Sequence, residues 1–134
     1  MIELSSIFKL VISFILAALL GIEREIHKKP AGLRTHILVA VGTTIFTILS
    51  YKYFGALGAD PARIASYVLA GIGFIGGGVI LKENHRVLGL TTAASLWLTA
   101  SVGMAVGIGA YDLAATGTIL GLLSLLLKNI EKRE

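Results

Sequence analysis

The sequence predicts an all-α protein, an integral membrane helical bundle of about five transmembrane helices, in a single domain over residues 1–134. Three observations carry that expectation. Charged residues make up only 15% of the chain and mean hydropathy is +0.84, whereas a soluble domain is about 25% charged. Apolar runs of membrane-spanning length follow one another, separated by short polar segments. The basic residues gather in alternate segments between those runs, a pattern of membrane topology and not of nucleic-acid binding.

The first run, Leu4–Ile22, is interrupted only by Lys9, whose stem can carry its ammonium to the interface. Cleavage as a signal peptide is disfavoured, because Glu3 precedes Lys9 and Gly21-Ile22-Glu23 stands where a small-residue site belongs. Glu23–Arg34, EREIHKKPAGLR, reads as a loop that begins as a helical extension and is stopped by Pro30. The second run, Thr35–Tyr53, ends in two tyrosines suited to the interfacial belt.

Asp60-Pro61 then supplies an N-cap and a first helical residue. The third run, Ala62–Leu81, is about 30 Å long at 1.5 Å per residue, the hydrocarbon thickness. It contains AGIGFIGGGVIL (Ala70–Leu81), with Gly71, Gly73, Gly76, Gly77 and Gly78. In lipid a helix satisfies every backbone group internally, and glycine lets another backbone come close. This run is therefore expected to be the central, most tightly packed helix. Lys82–Gly89 is expected to be a short polar turn. The fourth run is Leu90–Ile108; the fifth, Leu113–Leu127 with Asp112 as a candidate N-cap, is short unless Ala110–Asp112 join it to give about 111–127, and otherwise reads as an interfacial or partly inserted helix. The charged tail Lys128–Glu134 is expected to fray.

Counting cations orients this map. Glu23–Arg34, Lys82–Gly89 and the tail fall on one side and hold nine of the twelve Lys and Arg residues. That asymmetry predicts an outside N-terminus and a cytoplasmic C-terminus.

Small residues recur at i, i+4 in four runs: Ala17/Gly21, Gly73/Gly77, Gly103/Gly107 and Gly117/Gly121. They suit close helix packing, within one subunit or across a dimer. Thr43, Thr47 and Ser50 share one helical face, as do Thr92, Ser95 and Thr99. Such faces either line a polar path or bond their own i−4 carbonyls, and the second is the commoner use. Charges gather at span ends: Glu23, Glu25, Arg34 and His36 on one side, Asp60, Arg63 and Asp112 on the other. Ionisable groups at membrane depth are functional candidates, while at span edges capping and anchoring also account for them. No cysteine is present, and His27, His36 and His85 lack partners at metal-ligand spacing. No metal site, cofactor or nucleophile–base set is expected, so an enzyme is disfavoured. No run carries a central Asp or Glu of the kind a magnesium pore would want.

Five stretches together resemble the MgtC/SapB membrane-protein family: GIERE (Gly21–Glu25), PAGLRTHIL (Pro30–Leu38), DPARIA (Asp60–Ala65), GIGFIGGGVIL (Gly71–Leu81) and GLTTAASLWLTASVGMAVGIG (Gly89–Gly109). The resemblance implies a bacterial or archaeal inner-membrane protein of about five helices, linked to adaptation to low magnesium, acid stress and, in some pathogens, survival inside host cells. Some members look like regulators of other membrane machines, including ATP synthase. The motif residues it carries over are Glu23, Arg24, Gly32, Arg34, Thr35, Asp60, Arg63, Gly73, Gly76, Gly78, Gly89, Thr91, Thr92 and Trp97. Longer members append a soluble C-terminal domain; this chain stops seven residues after Leu127, which implies a short form to which that domain's activity is not carried over. The expected function is non-enzymatic, acting by helix contacts with a second copy or with other membrane proteins in the bilayer, without nucleic acid. The alternative is a small-ion or solute transporter that uses the hydroxyl faces and the Glu23/Arg34 and Asp60/Arg63 groups.

Overall fold

The structure, a computed structural model, describes residues 3–127 apart from the side chain of Glu83. The expected tail, with Lys128, Lys132 and Arg133, lies outside the described residues. Five α-helices and one hairpin follow in order: α1 (Leu4–Ile26), α2 (Leu33–Ile48), α3 (Ala62–Gly78), β1 (Leu81–Glu83), β2 (Arg86–Leu88), α4 (Leu90–Ile108) and α5 (Tyr111–Leu126). A π-helical segment, Leu49–Phe54, and a 3-10 turn, Gly55–Leu57, prolong α2. The rod Leu33–Leu57 is thus 25 residues long. Among the described residues, this rod, α1 and α4 are long and apolar enough to cross a membrane, while α3 and α5 are apolar but shorter.

Helix ends follow from local chemistry. α1 runs four residues past its expected end and closes as a Schellman motif, in which Lys28 N–H reaches Glu25 C=O at 3.0 Å and Lys29 N–H reaches Arg24 C=O at 3.0 Å. Lys28 holds the left-handed position of that motif at φ +51°; Gly109 holds the equivalent position after α4, at φ +89°. α3 begins as expected, with Asp60 Oδ1 accepting Ala62 N–H at 2.9 Å. It stops early, at Gly78, because three consecutive glycines carry the poorest helix propensity short of proline. The residues that follow turn back as a hairpin with Glu83 opposite Arg86 and a two-residue loop, Asn84 standing at φ +52°. The expected plain turn is therefore a small antiparallel ribbon. Asp112 does not cap α5; it lies in the first turn, behind Ala110.

Gly89 closes the hairpin at φ +86°, and a Cβ there would run into the carbonyl of Val79. Two constraints thus coincide at one residue. Gly89→Ala is expected to cost at least about 1–2 kcal/mol from backbone strain alone, read as a lower melting temperature in detergent.

The helix at the centre is α4, not α3. α4 contacts all four other helices and buries Leu96, Thr99, Ala100, Val102, Gly103 and Val106. α3 buries only Ile72 and Gly76. At Gly71, Gly73, Gly77 and Gly78 an added Cβ would meet nothing within 4 Å, and at Gly76 it would make an ordinary 3.5 Å contact with Ala93. The expected packing role of the α3 glycines therefore fails within the chain, save for the light contact at Gly76. In α4 it holds. A Cβ on Gly103 would strike the Ala40 carbonyl, and one on Gly107 would stand 2.5 Å from Thr47 Cβ. Gly21 of α1 does the same against Leu33 Cα at 2.8 Å.

Polar bonds fasten these close crossings. Thr44 Oγ1 lies 2.8 Å from Ser13 Oγ, 2.9 Å from Ala40 O and 2.8 Å from Gly103 O, joining α1, α2 and α4 at one point. Lys9 is tied to the last turn of α4. Its Nζ donates to Gly107 O at 2.8 Å, where a cation suits the carbonyl end of α4.

Candidate functional site

A polar cluster that includes the predicted Glu23 and Arg24 forms at one end of the bundle, where α1 and α3 finish and α2 and α4 begin. Glu23 and Arg24 lie in the last turns of α1, 8% and 2% exposed. Arg24 Nε meets Glu23 Oε2 at 2.5 Å, and His27 Nδ1 stands 2.9 Å from Glu23 Oε1. Burying a guanidinium is tolerable only with such a partner. Two residues on, Glu25 reaches across the turn, its Oε2 accepting Leu33 N–H at 3.0 Å. A carboxylate there satisfies an orphan donor of α2 and complements its dipole. Gly32 fits because its Cβ would collide with that carboxylate.

His36, fully buried on α2, completes the cluster. Its Nδ1 lies 2.8 Å from Gly32 O, and a carbonyl only accepts, so Nδ1 carries the proton. Its Nε2, the acceptor of that tautomer, lies 3.0 Å from Ser95 Oγ of α4, whose single hydroxyl proton is within reach of both Nε2 and Thr92 O, the latter at 2.7 Å. The His36–Ser95 distance is that of a nucleophile–base pair. Both groups are sealed inside the helix crossing, however, with Ser95 5% exposed. The chain of bonds ties α2 to α4; with the Glu23–Arg24 pair and the Glu25 cap, it makes one polar clasp across α1, α2 and α4.

The side chains of the remaining candidates stand outside this clasp. Arg34 is exposed and, among the described residues, forms no ion pair; the expected Glu23/Arg34 group is in fact Glu23 with Arg24 and His27. Thr35 is half-buried on the side of α2 that faces α3. Thr92 is buried, whereas Thr91 and Trp97 face outward, Trp97 at 53% exposure. Asp60 and Arg63 are exposed at the opposite end, where the Asp60 carboxylate starts α3. Arg63 does not pair with it.

The hydroxyl faces serve the backbone. Thr43, Thr44, Thr47 and Thr99 each bond the carbonyl four residues back, at 2.7–2.9 Å. Ser50 instead donates to Pro61 O at 2.6 Å, fastening α2's extension to the start of α3. Among the described residues no group of three or more His, Asp or Glu side chains could hold a metal ion. His36, one of the charges gathered at span ends, and Ser95, on the Thr92–Ser95–Thr99 face, thus meet across α2 and α4.

The chain is 44% identical over 125 residues to a protein of Escherichia coli K12 named "Putative magnesium transporter YhiD", covering 89% of this chain and 58% of that protein. It is 43% identical over 119 residues to "Uncharacterized protein slr0014" of Synechocystis, covering 89% and 50%. It is also 44% identical over 107 residues to "Protein MgtC" of Brucella abortus, covering 80% and 44%. The chain thus spans about half the length of these relatives. No solved structure matches it significantly. The MgtC family model matches residues 10–133, a stretch that includes all five helices from Leu10 onward and the whole polar clasp. The chain belongs to the MgtC family.

Proposed function

We propose that this magnesium-related membrane protein is a non-enzymatic regulator of the inner membrane, which acts through helix contacts with a second copy or with another membrane protein when magnesium is low or acid stress is high. It crosses the bilayer several times, its clasp end facing the cytoplasm, as the positive-inside count supports. The observation that carries the reading is the outer face of α3. Ser66, Ala70, Gly73 and Gly77 recur at helical spacing and are all exposed, and the two glycines have no neighbour within the chain. Small residues in such a stripe allow another helix to approach closely. The glycines that serve the chain's own packing sit on other helices, so this stripe remains available to another chain.

The chain lacks cysteine, so Gly73→Cys and Gly77→Cys give clean cross-linking probes in native membranes. Both are expected to trap a covalent adduct, to a second copy or to a different membrane protein. Monomer alone at both positions would contradict the proposal. The name of the E. coli relative, "Putative magnesium transporter YhiD", favours transport as the second reading. Magnesium flux into proteoliposomes above that of empty liposomes would support it.

A further inference from the structure

We propose that the groove between α2 and α3 is a binding site for an anionic phospholipid, with an acyl chain along the groove and the headgroup at the clasp end. The groove measures about 610 Å³, within the range of specific small-molecule sites. Its walls are apolar, with Leu38 and Phe46 on α2 and Tyr67 and Ile75 on α3. Gly42 and Gly71 also line it, and a Cβ on either would meet nothing within 4 Å. These two glycines leave the groove hollow; they do not bring backbones together.

Length and position favour a lipid. From Thr35 to Phe46 the lining extends about 16 Å at 1.5 Å per residue, close to one leaflet of a hydrocarbon core about 30 Å thick. At its far end the two helices are fastened by the Ser50–Pro61 bond. At its near end lies a basic rim. Arg34 precedes Thr35 in sequence, and Lys82 lies in β1 of the hairpin that follows α3. Both are exposed and, among the described residues, form no ion pair. The hairpin also exposes Leu81, Val87 and Leu88, so cations and apolar side chains alternate as they would at a headgroup boundary. This groove lies on the side of α3 away from the Ser66–Gly77 stripe, and the lipid proposal does not depend on what that stripe binds.

The test is native mass spectrometry of the full chain, delipidated and then exchanged with phosphatidylglycerol or phosphatidylcholine of matched chains. Wild type is expected to retain phosphatidylglycerol preferentially. Arg34→Gln and Lys82→Gln should each weaken that preference about fivefold, as expected for one cation near an anionic surface. Gly71→Leu should remove retention of both lipids with an unchanged melting temperature, since the new side chain enters open space. Equal retention of the two lipids by wild type would overturn the proposal, as would unchanged retention by Gly71→Leu. So would a dimer that Gly71→Leu splits while lipid retention persists, because a second copy would then occupy the groove.

Discussion

Gly103→Leu is expected to abolish the folded bundle. A Cβ at residue 103 would collide with the Ala40 carbonyl and stand 3.0 Å from Ala40 Cα, and neither atom can step aside as a side-chain tip could. Extra methylenes in a packed core typically cost about 1–3 kcal/mol. Here the obstacle is backbone, and separating α4 from α2 also breaks the Thr44 bond to Gly103. Against a total stability of about 5–15 kcal/mol, that loss should leave little protein in the membrane. The same change at Gly71 should leave abundance intact. Membrane abundance of the two variants side by side checks the pair, and equal abundance would contradict the central place given to α4.

Arg24→Ala is the second large effect. It leaves the Glu23 carboxylate, 8% exposed, without the guanidinium 2.5 Å away, and with His27 Nδ1 still 2.9 Å from its Oε1. Breaking a buried pair by removing one member costs roughly 3–5 kcal/mol, whereas exchanging both for apolar groups of similar volume is often neutral. Glu23→Leu combined with Arg24→Met should therefore melt well above Arg24→Ala in detergent. If the double variant melts no higher than the single one, the pair is not what the clasp depends on.

The spans were readable because length and apolarity suffice to mark a membrane helix, and four of the five lie within a few residues of their expected limits. The centre of the bundle was not. Gly73/Gly77 and Gly103/Gly107 have the same spacing, and glycine permits close approach without requiring it. Only the three-dimensional arrangement separates the pair against the α2 backbone from the pair in open space. The hairpin was hidden for a related reason: its strands are three residues each, too short to display an alternation. Arg34 seemed a natural partner for Glu23, yet the Schellman turn at Lys28 ends α1 with Arg24 already turned inward. The clasp was half visible, because charges and hydroxyls announce themselves, while the His36–Ser95 bond joins residues 59 positions apart.

The central claim is that the outward stripe of α3 is the working surface and the α4 glycines are the structural ones. Growth at limiting magnesium tests it most directly, in cells whose own copy is deleted and replaced by Gly73→Ile/Gly77→Ile at matched membrane abundance. Growth should fall to the level of the deletion. Full growth with the stripe blocked would contradict the claim.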